Sequence, residues 1–433
     1  MAMDGKELVE KLAKLSQVQS IKDIPHLTHA LFPGTHCPLM GAAMAVGGIK
    51  DSLIVVVGTD ECTYYTKSMT IHSEKFGGID GRCVSVVLDD HDVTFGSAEK
   101  VQEAFKEIIE EYRPQCVFLV TTCVIEIIGD DFDAISEGLS ELYGIPVLPV
   151  HTEHFKCEDH LPGLERTITV CAEMMKSCDS DNSVNLLGQR MGDFATTELY
   201  AMLQKAGVKI GLQLPCGCSV DDIKNAAAAK VNIVVNDIAL PLAQKMQEKF
   251  GIPYVYFNKF VIPEKIYEAY KNLFGYLELE LPGELEGLYQ NAREEIEKNK
   301  GELEGITYIY GNTPYAVFEM NCFLSSLGMV PQVIQTNRYT EADEPYAKEI
   351  LQYTDPYVCK AANIAPLQYV YDVLSPYLYL GHEFGNRLRQ KGIAIVHSDR
   401  ASGMLGFEVT GYLLQQLVKS VREAKEYRKE LGL

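Results

Sequence analysis

Tryptophan is absent from the 433 residues, and cationic side chains are scarce: 39 Lys and Arg stand against 60 Asp and Glu, a formal charge of −21. A chain this acidic lacks the basic face that a phosphate backbone requires, so no nucleic acid is expected as a partner. No apolar run reaches the roughly 18 residues of a membrane span, and the N-terminal stretch is charged and amphipathic, unlike a secretory leader. A cytoplasmic protein with no membrane association is the expectation. Chemical signatures are missing too. There is no GxxxxGK[ST] loop for phosphates and no GxGxxG after a strand, so a reaction that needs ATP must take it from a partner. No HExxH and no paired CxxC argue for zinc.

What the chain does have is cysteine, 12 in all. In a reducing compartment these are thiols or metal ligands rather than a disulfide framework. Three stand at turns that lead into helical segments: Cys37 in Thr35-His36-Cys37-Pro38, Cys62 in Gly58-Thr59-Asp60-Glu61-Cys62, and Cys123 in Thr121-Thr122-Cys123. The last two follow the strand candidates Leu53–Val57 and Val117–Val120, and the carboxyl ends of strands are where open α/β sheets build their sites. Three thiolates brought to one edge form an iron–sulfur ligand set without any CxxC spacing. Cys83, Cys116, Cys171, Cys178, Cys322 and Cys359 read as core or incidental cysteines. The pair Cys216-Gly217-Cys218 suits a metal or a redox couple, but no third ligand is near it in sequence.

With 47% hydrophobic residues, the chain has material for several cores, and its length suggests about three domains. Strands at Leu53–Val57, Cys83–Leu88, Val117–Val120 and Val147–Val150 alternate with helical patterns. One helix is capped by Ser97 and stopped at Arg113-Pro114. A short lead-in helix is expected over Leu8–Leu15. Gly-Ile-Pro at 144–146 and 251–253, with Gly392-Ile393-Ala394 as its relative, closes a helix with glycine and opens a strand. The polar stretch Ser177–Ser183 and the acidic helical region Leu277–Lys300 mark the breaks. The fold class is α/β, with three Rossmann-like modules (1–180, 181–300 and 301–433) of parallel sheets flanked by helices and a cleft between them.

Thr121-Thr122-Cys123 with Ile128-Gly129-Asp130-Asp131, beside Val93-Thr94-Phe95-Gly96-Ser97, resembles the nitrogenase component 1 superfamily over nearly the whole chain. That family includes dinitrogenase subunits, the scaffold pair that matures their cofactor, and dark-operative tetrapyrrole reductases. The resemblance implies that Cys37, Cys62 and Cys123 hold an iron–sulfur cluster, [4Fe–4S] or of the P-cluster type [8Fe–7S], at an interface with a homologous or identical subunit. It also implies an ATP-hydrolysing iron–sulfur reductase as a second partner. In the loop Pro149–Cys157, His154 falls where a family serine approaches the cluster, and Cys157 is three residues further on; each is a candidate ligand or an ordinary loop residue.

A second metallocluster, or a tetrapyrrole, is the implied occupant of the cleft. Here the chain departs from the dinitrogenase α subunit: Asn236 stands where the cofactor's cysteine is expected, while Val396-His397-Ser398 keeps the turn of its histidine ligand. Gln189, Arg190 and Met191, Asn312 and Thr313, Arg338 and Tyr339, and Gly381-His382-Glu383 all follow strands and line the same implied cavity. His397, His382 and Glu383 are the expected proton sources. These features favour the catalytic component of a two-component ATP-dependent reductase that does not fix nitrogen. The alternative is a cofactor-assembly scaffold that carries a metallocluster precursor without turnover; a metal-free ligand-binding protein leaves the three cysteines unexplained.

Overall fold

The computed structural model describes residues 4–28, 36–71, 81–157, 159–190, 192–258, 260–311, 313, 315–361 and 364–433. Met191 and Asn312 lie outside them. Among the described residues, none of the helices is long and apolar enough to cross a membrane.

Three parallel sheets dominate. The first is ordered Cys83–Val87, Ser52–Gly58, Cys116–Thr121, Val147–Val150. Its strands read as near-continuous β-branched runs because both faces are covered. Leu53, Val55 and Val57 enter one core with Val117 and Leu119, whereas Ile54 and Val56 enter the other with Phe118 and Val120. The second sheet is ordered Tyr254–Tyr256, Val231–Val234, Val184–Gln189, Ile210–Pro215. Leu187, Leu212, Leu214 and Val234 of this sheet share the core that holds Ile54 and Phe118, so the first two sheets are packed as one body. A short pairing of Ile49–Lys50 with Cys218–Ser219 reinforces the junction.

The third sheet is ordered Ala13–Lys14, Tyr357–Cys359, Val330–Gln335, Thr307–Tyr310, Leu378–Leu380, Ala394–Val396. Its first strand is antiparallel and comes from the N-terminus. This differs from a first module running continuously over 1–180. Helix Gly5–Glu10 is shorter than the expected Leu8–Leu15, and it packs on Ile364–Leu374. Leu12 and Leu15 are buried in third-sheet cores, and Leu15 donates its N–H to the Pro356 carbonyl. Leu12 and Leu15 thus satisfy an apolar pattern by docking on a distant sheet instead of extending the helix.

Junction glycines behave as their sequence context predicts. Gly144, Gly251 and Gly392 all adopt positive φ, at 68°, 73° and 71°, the left-handed turn that ends a helix before the next strand. Ser97 does occupy the cap position of helix Ala98–Tyr112, but its hydroxyl does not cap it. Both its N–H and its Oγ–H go to Asp130 Oδ2, at 2.7 and 2.6 Å. A carboxylate is the stronger acceptor, and this bond ties the Phe95-Gly96-Ser97 turn to the segment that follows Cys123.

One crossing fixes the start of the helix behind Cys37. Helices Pro38–Gly47 and Leu161–Val170 approach so closely that a Cβ on Gly41 would collide with the His160 carbonyl, and one on Gly163 with the Pro38 carbonyl. Glycine is required there for space, not for backbone freedom. Gly163→Ala should therefore cost about 1–3 kcal/mol, the usual penalty for overpacking, read as a lower urea midpoint with unchanged slope.

Candidate metal centre and inter-module cleft

Cys37, Cys62 and Cys123 reach one edge of the first sheet from three helix starts. Cys37 is the extended residue before Pro38, which opens its helix. Cys62 sits in the first turn of Asp60–Ile71, just beyond the central strand. Cys123 opens helix Cys123–Ile128. Thr122, before it, donates its hydroxyl to the Val57 carbonyl at 2.9 Å, so the turn is bolted to the neighbouring strand. All three thiols are half-buried, and Cys37 and Cys62 pack against the shared core.

Their proximity shows in their electrostatics. Burial raises the Cys123 thiol pKa, and the neighbouring Cys62 and Cys37 raise it further, while backbone N–H groups at its own helix start oppose the shift. Three thiolates this close repel one another unless a cation compensates them. Among the described residues, no three His, Cys, Asp or Glu side chains converge on a point that would hold a single metal ion. Three separate thiols, once ionised, are soft donors of the kind that would hold an iron–sulfur cluster at this edge.

His154 and Cys157 are placed differently. His154 is exposed and rests its ring near Phe155, 5.7 Å between centroids. Cys157 Sγ lies 3.7 Å from the Thr152 carbonyl and 3.8 Å from an Arg166 nitrogen. Arg166 also donates to the Thr152 carbonyl at 2.7 Å and pairs with Glu153 at 2.5 Å, clamping the loop. The loop is anchored toward the triad by Glu126, which accepts from the Glu153 N–H and from Thr121 Oγ1. Behind Cys37, His36 Nδ1 is 3.3 Å from the Tyr65 hydroxyl, and its ring is 6.3 Å from that of His160. Burial, with help from the Arg190 charge, depresses the His160 pKa to about 4.

His397, His382 and Glu383 come together. With Gly381, Ile395, Ser398 and Asp399 they line a cavity of about 130 Å³ at the carboxyl ends of Leu378–Leu380 and Ala394–Val396. His382 Nε2 is 3.5 Å from Asp399 Oδ1. Burial raises the Glu383 pKa even though it accepts from the Phe384 N–H and the Tyr371 hydroxyl.

The other residues expected to line a cleft have individual tasks, and none of them lines the cavity at His397. Gln189 is buried and donates to the Gly403 carbonyl at 3.4 Å, joining the second sheet to the turn after the third sheet's last strand. Arg190 accepts from Cys216 Sγ through its carbonyl, which leaves Cys216 and the core-buried Cys218 facing different surroundings. Thr313 is hydrogen-bonded to the Tyr310 hydroxyl, and the Tyr339 ring meets Phe318 edge-on at 5.2 Å. Arg338 is exposed. Asn236 uses its side-chain oxygen to accept from the Ile238 N–H, capping its own short helix.

The residues missed by sequence reasoning are acidic. Glu165, Glu319 and Asp343 each lie within electrostatic reach of Asp237. Each stands alone in sequence, with no spacing to connect them. Glu319 is only 5% exposed, and burial lifts its pKa from 4.5 to about 7, with Asp237 adding to the rise and Lys265 opposing it.

The 37–422 region matches the family described as nitrogenase component 1 type oxidoreductase. The chain belongs to this family. Among its relatives, the nitrogenase iron-molybdenum cofactor biosynthesis protein NifE of Clostridium pasteurianum is 31% identical over 224 residues, 51% of this chain and 49% of that protein. NifE of Rippkaea orientalis is 24% identical over 331 residues, 73% and 69% of the respective chains. The nitrogenase molybdenum-iron protein alpha chain of Methanosarcina barkeri is 25% identical over 309 residues, 68% and 58%. The chain thus spans about half to two-thirds of the length of these curated relatives. The solved structure described as nitrogenase Cp1 at pH 6.5 superposes with a TM-score of 0.77 at 14% identity, over 92% of this chain and 94% of that one, and establishes the shared α/β fold.

Because folding raises the Glu319 pKa, the neutral form favours the native state. Its stabilising effect is complete below pH 4.5 and is lost as pH rises toward 7. Glu319→Gln should match the wild type near pH 4 and exceed its stability by up to about 3 kcal/mol above neutrality. Urea unfolding across that range checks it.

Proposed function

We propose that this chain is a cofactor-assembly scaffold of its family: a protein that holds an iron–sulfur cluster at Cys37, Cys62 and Cys123 and carries a metallocluster precursor in its cleft without turnover. The observation that carries this reading is the state of Asn236. An amide cannot replace a thiolate on iron, and this one is already engaged in capping. The cavity around His397 therefore offers cargo an imidazole without an opposing thiolate, a hold suited to release. The relatives named for cofactor biosynthesis point the same way.

When bound at the triad, an iron–sulfur cluster supplies reversible one-electron chemistry. The protein's part is to present three thiols at half-buried helix starts, keep them together through the glycine crossing at Gly41 and Gly163, and limit water. Three cysteines leave a cubane one ligand short, so we assign a homologous second subunit to this edge. Exposed Tyr64, Tyr65, Phe95, Ile127 and Phe155, 50–76% accessible, provide apolar contact area on helices and turns beside the triad.

One observation favours a second reading, that of a reductase component served by an ATP-hydrolysing iron–sulfur protein: His382, Glu383 and His397 share a cavity with proton-exchanging chemistry. In that case Glu383, held by burial toward its protonated form, donates a proton there.

Anaerobically purified protein should contain about two irons per chain if one [4Fe–4S] cluster is shared across a dimer. Cys123→Ala should lose the visible charge-transfer absorption, whereas Cys157→Ser, whose sulfur faces Arg166, should keep its iron. Colourless, folded wild-type protein would refute both readings. Transfer of bound metallocluster to a cofactor-free acceptor supports the scaffold; ATP-dependent electron uptake without such transfer supports the reductase.

A further inference from the structure

Among the described residues, none accepts a hydrogen bond from the side chain of Arg190 and none forms an ion pair with it. Arg190 stands just past strand Val184–Gln189 and is half-buried. Burial pulls its pKa below the usual arginine range, while Cys216 and Asp159 oppose the shift from a distance. Nε is sealed from solvent, whereas the two terminal nitrogens, equally without acceptors, reach accessible space. An arginine drawn this far from water is otherwise found paired, since an acceptor must replace the hydration it gives up.

His160 is the second observation. Its half-buried imidazole also lacks a hydrogen-bond partner among the described residues, and it lies within electrostatic reach of Arg190. Backbone packing fixes the frame around both. Helix Pro38–Gly47 meets His160 along its length and the Cys216 turn at its end: a Cβ on Gly41 would collide with the His160 carbonyl, and one on Gly48 would lie 3.0 Å from Cys216 Cα. Gly217 donates its N–H to the Gly48 carbonyl at 3.1 Å, and Cys216 Sγ donates to the Arg190 carbonyl at 3.2 Å. Past Arg190, Gly192 lies so close to Gly403 that a Cβ would come within 2.8 Å of its Cα. The chain on each side of Arg190 is thus held by close contacts, so its donors stand in place before any ligand arrives.

We propose that Arg190 and His160 bind a small carboxylate anion between them. With Nε sealed, the anion meets the guanidinium end-on, where two parallel N–H bonds match the two oxygens of a carboxylate. The imidazole N–H of His160 provides a further donor. Neither residue lines the His397 cavity, and the assignment does not rest on the iron–sulfur reading.

Asp159 sets the charge that the site accepts. Its Oδ1 is held by the Leu161 N–H at 2.9 Å, and it lies within electrostatic reach of both Arg190 and His160. That fixed negative charge opposes a dianion more than a monoanion, so a carboxylate fits better than phosphate.

The test is urea unfolding of the full chain, purified anaerobically, as sodium acetate replaces sodium chloride at constant ionic strength. The wild-type midpoint should rise with acetate and saturate. Arg190→Gln removes the unpaired charge, so in chloride it should unfold no earlier than the wild type, and it should show no saturable rise. His160→Phe keeps a ring and loses the N–H; it should need about tenfold more acetate for half the rise. Arg422→Gln, which removes an exposed partner of Glu302, should respond as the wild type does. Absence of a saturable rise, an equal rise in Arg190→Gln, or an equal rise with phosphate would overturn the proposal. Iron content measured on the same samples keeps the outcomes separate: normal iron without an acetate response sinks only this inference, and an acetate response without iron sinks only the scaffold reading.

Discussion

Three thiols within electrostatic reach of one another, half-removed from water, repel once they ionise, and the rest of the first sheet holds them in place. At Cys123 burial first, and then the neighbouring Cys62 and Cys37, disfavour the thiolate. Nothing in the hydrophobic core needs three cysteines there; apolar residues would pack as well without repulsion. The surrounding fixtures make sense as restraints on that edge. Thr122 is bonded to the central strand, Asp130 bridges Ser97 to the segment behind Cys123, and two glycines let the helix after Cys37 lie against its neighbour.

The cleft follows a different logic. His382, Glu383, His397 and Asp399 line a small cavity at the strand ends of the third sheet; elsewhere Glu165, Glu319 and Asp343, from separate elements, approach Asp237, with Arg166, Arg338 and Lys265 opposing them. Asn236 stands near that acidic group and serves its own backbone. Asn236 gives this region an amide where a thiolate would grip a cluster, and the proposed scaffold role rests on that difference.

Much of this was legible in the sequence because parallel sheets write plainly. Strands buried on both faces appear as runs such as Leu53–Val57, and left-handed glycines at 144, 251 and 392 punctuate them. The cysteine edge was legible for the same reason, as a residue just beyond a strand end has few places to go. What stayed hidden was long-range. Ala13–Lys14 crosses to the third sheet, a pairing that no local pattern encodes. Ser97 prefers a carboxylate brought from residue 130 over the local cap that its position suggested. Glu165, Glu319 and Asp343 approach Asp237 from separate elements, and no spacing in the sequence connects them.

The central claim is that the three sulfurs bind iron, and X-ray absorption at the iron edge tests it most directly. Anaerobically purified protein is predicted to show a sulfur first shell with an iron–iron shell behind it, both lost when Cys37, Cys62 and Cys123 are replaced together by alanine. An iron spectrum that survives the triple replacement, or a wild-type spectrum with only nitrogen and oxygen neighbours, would contradict it.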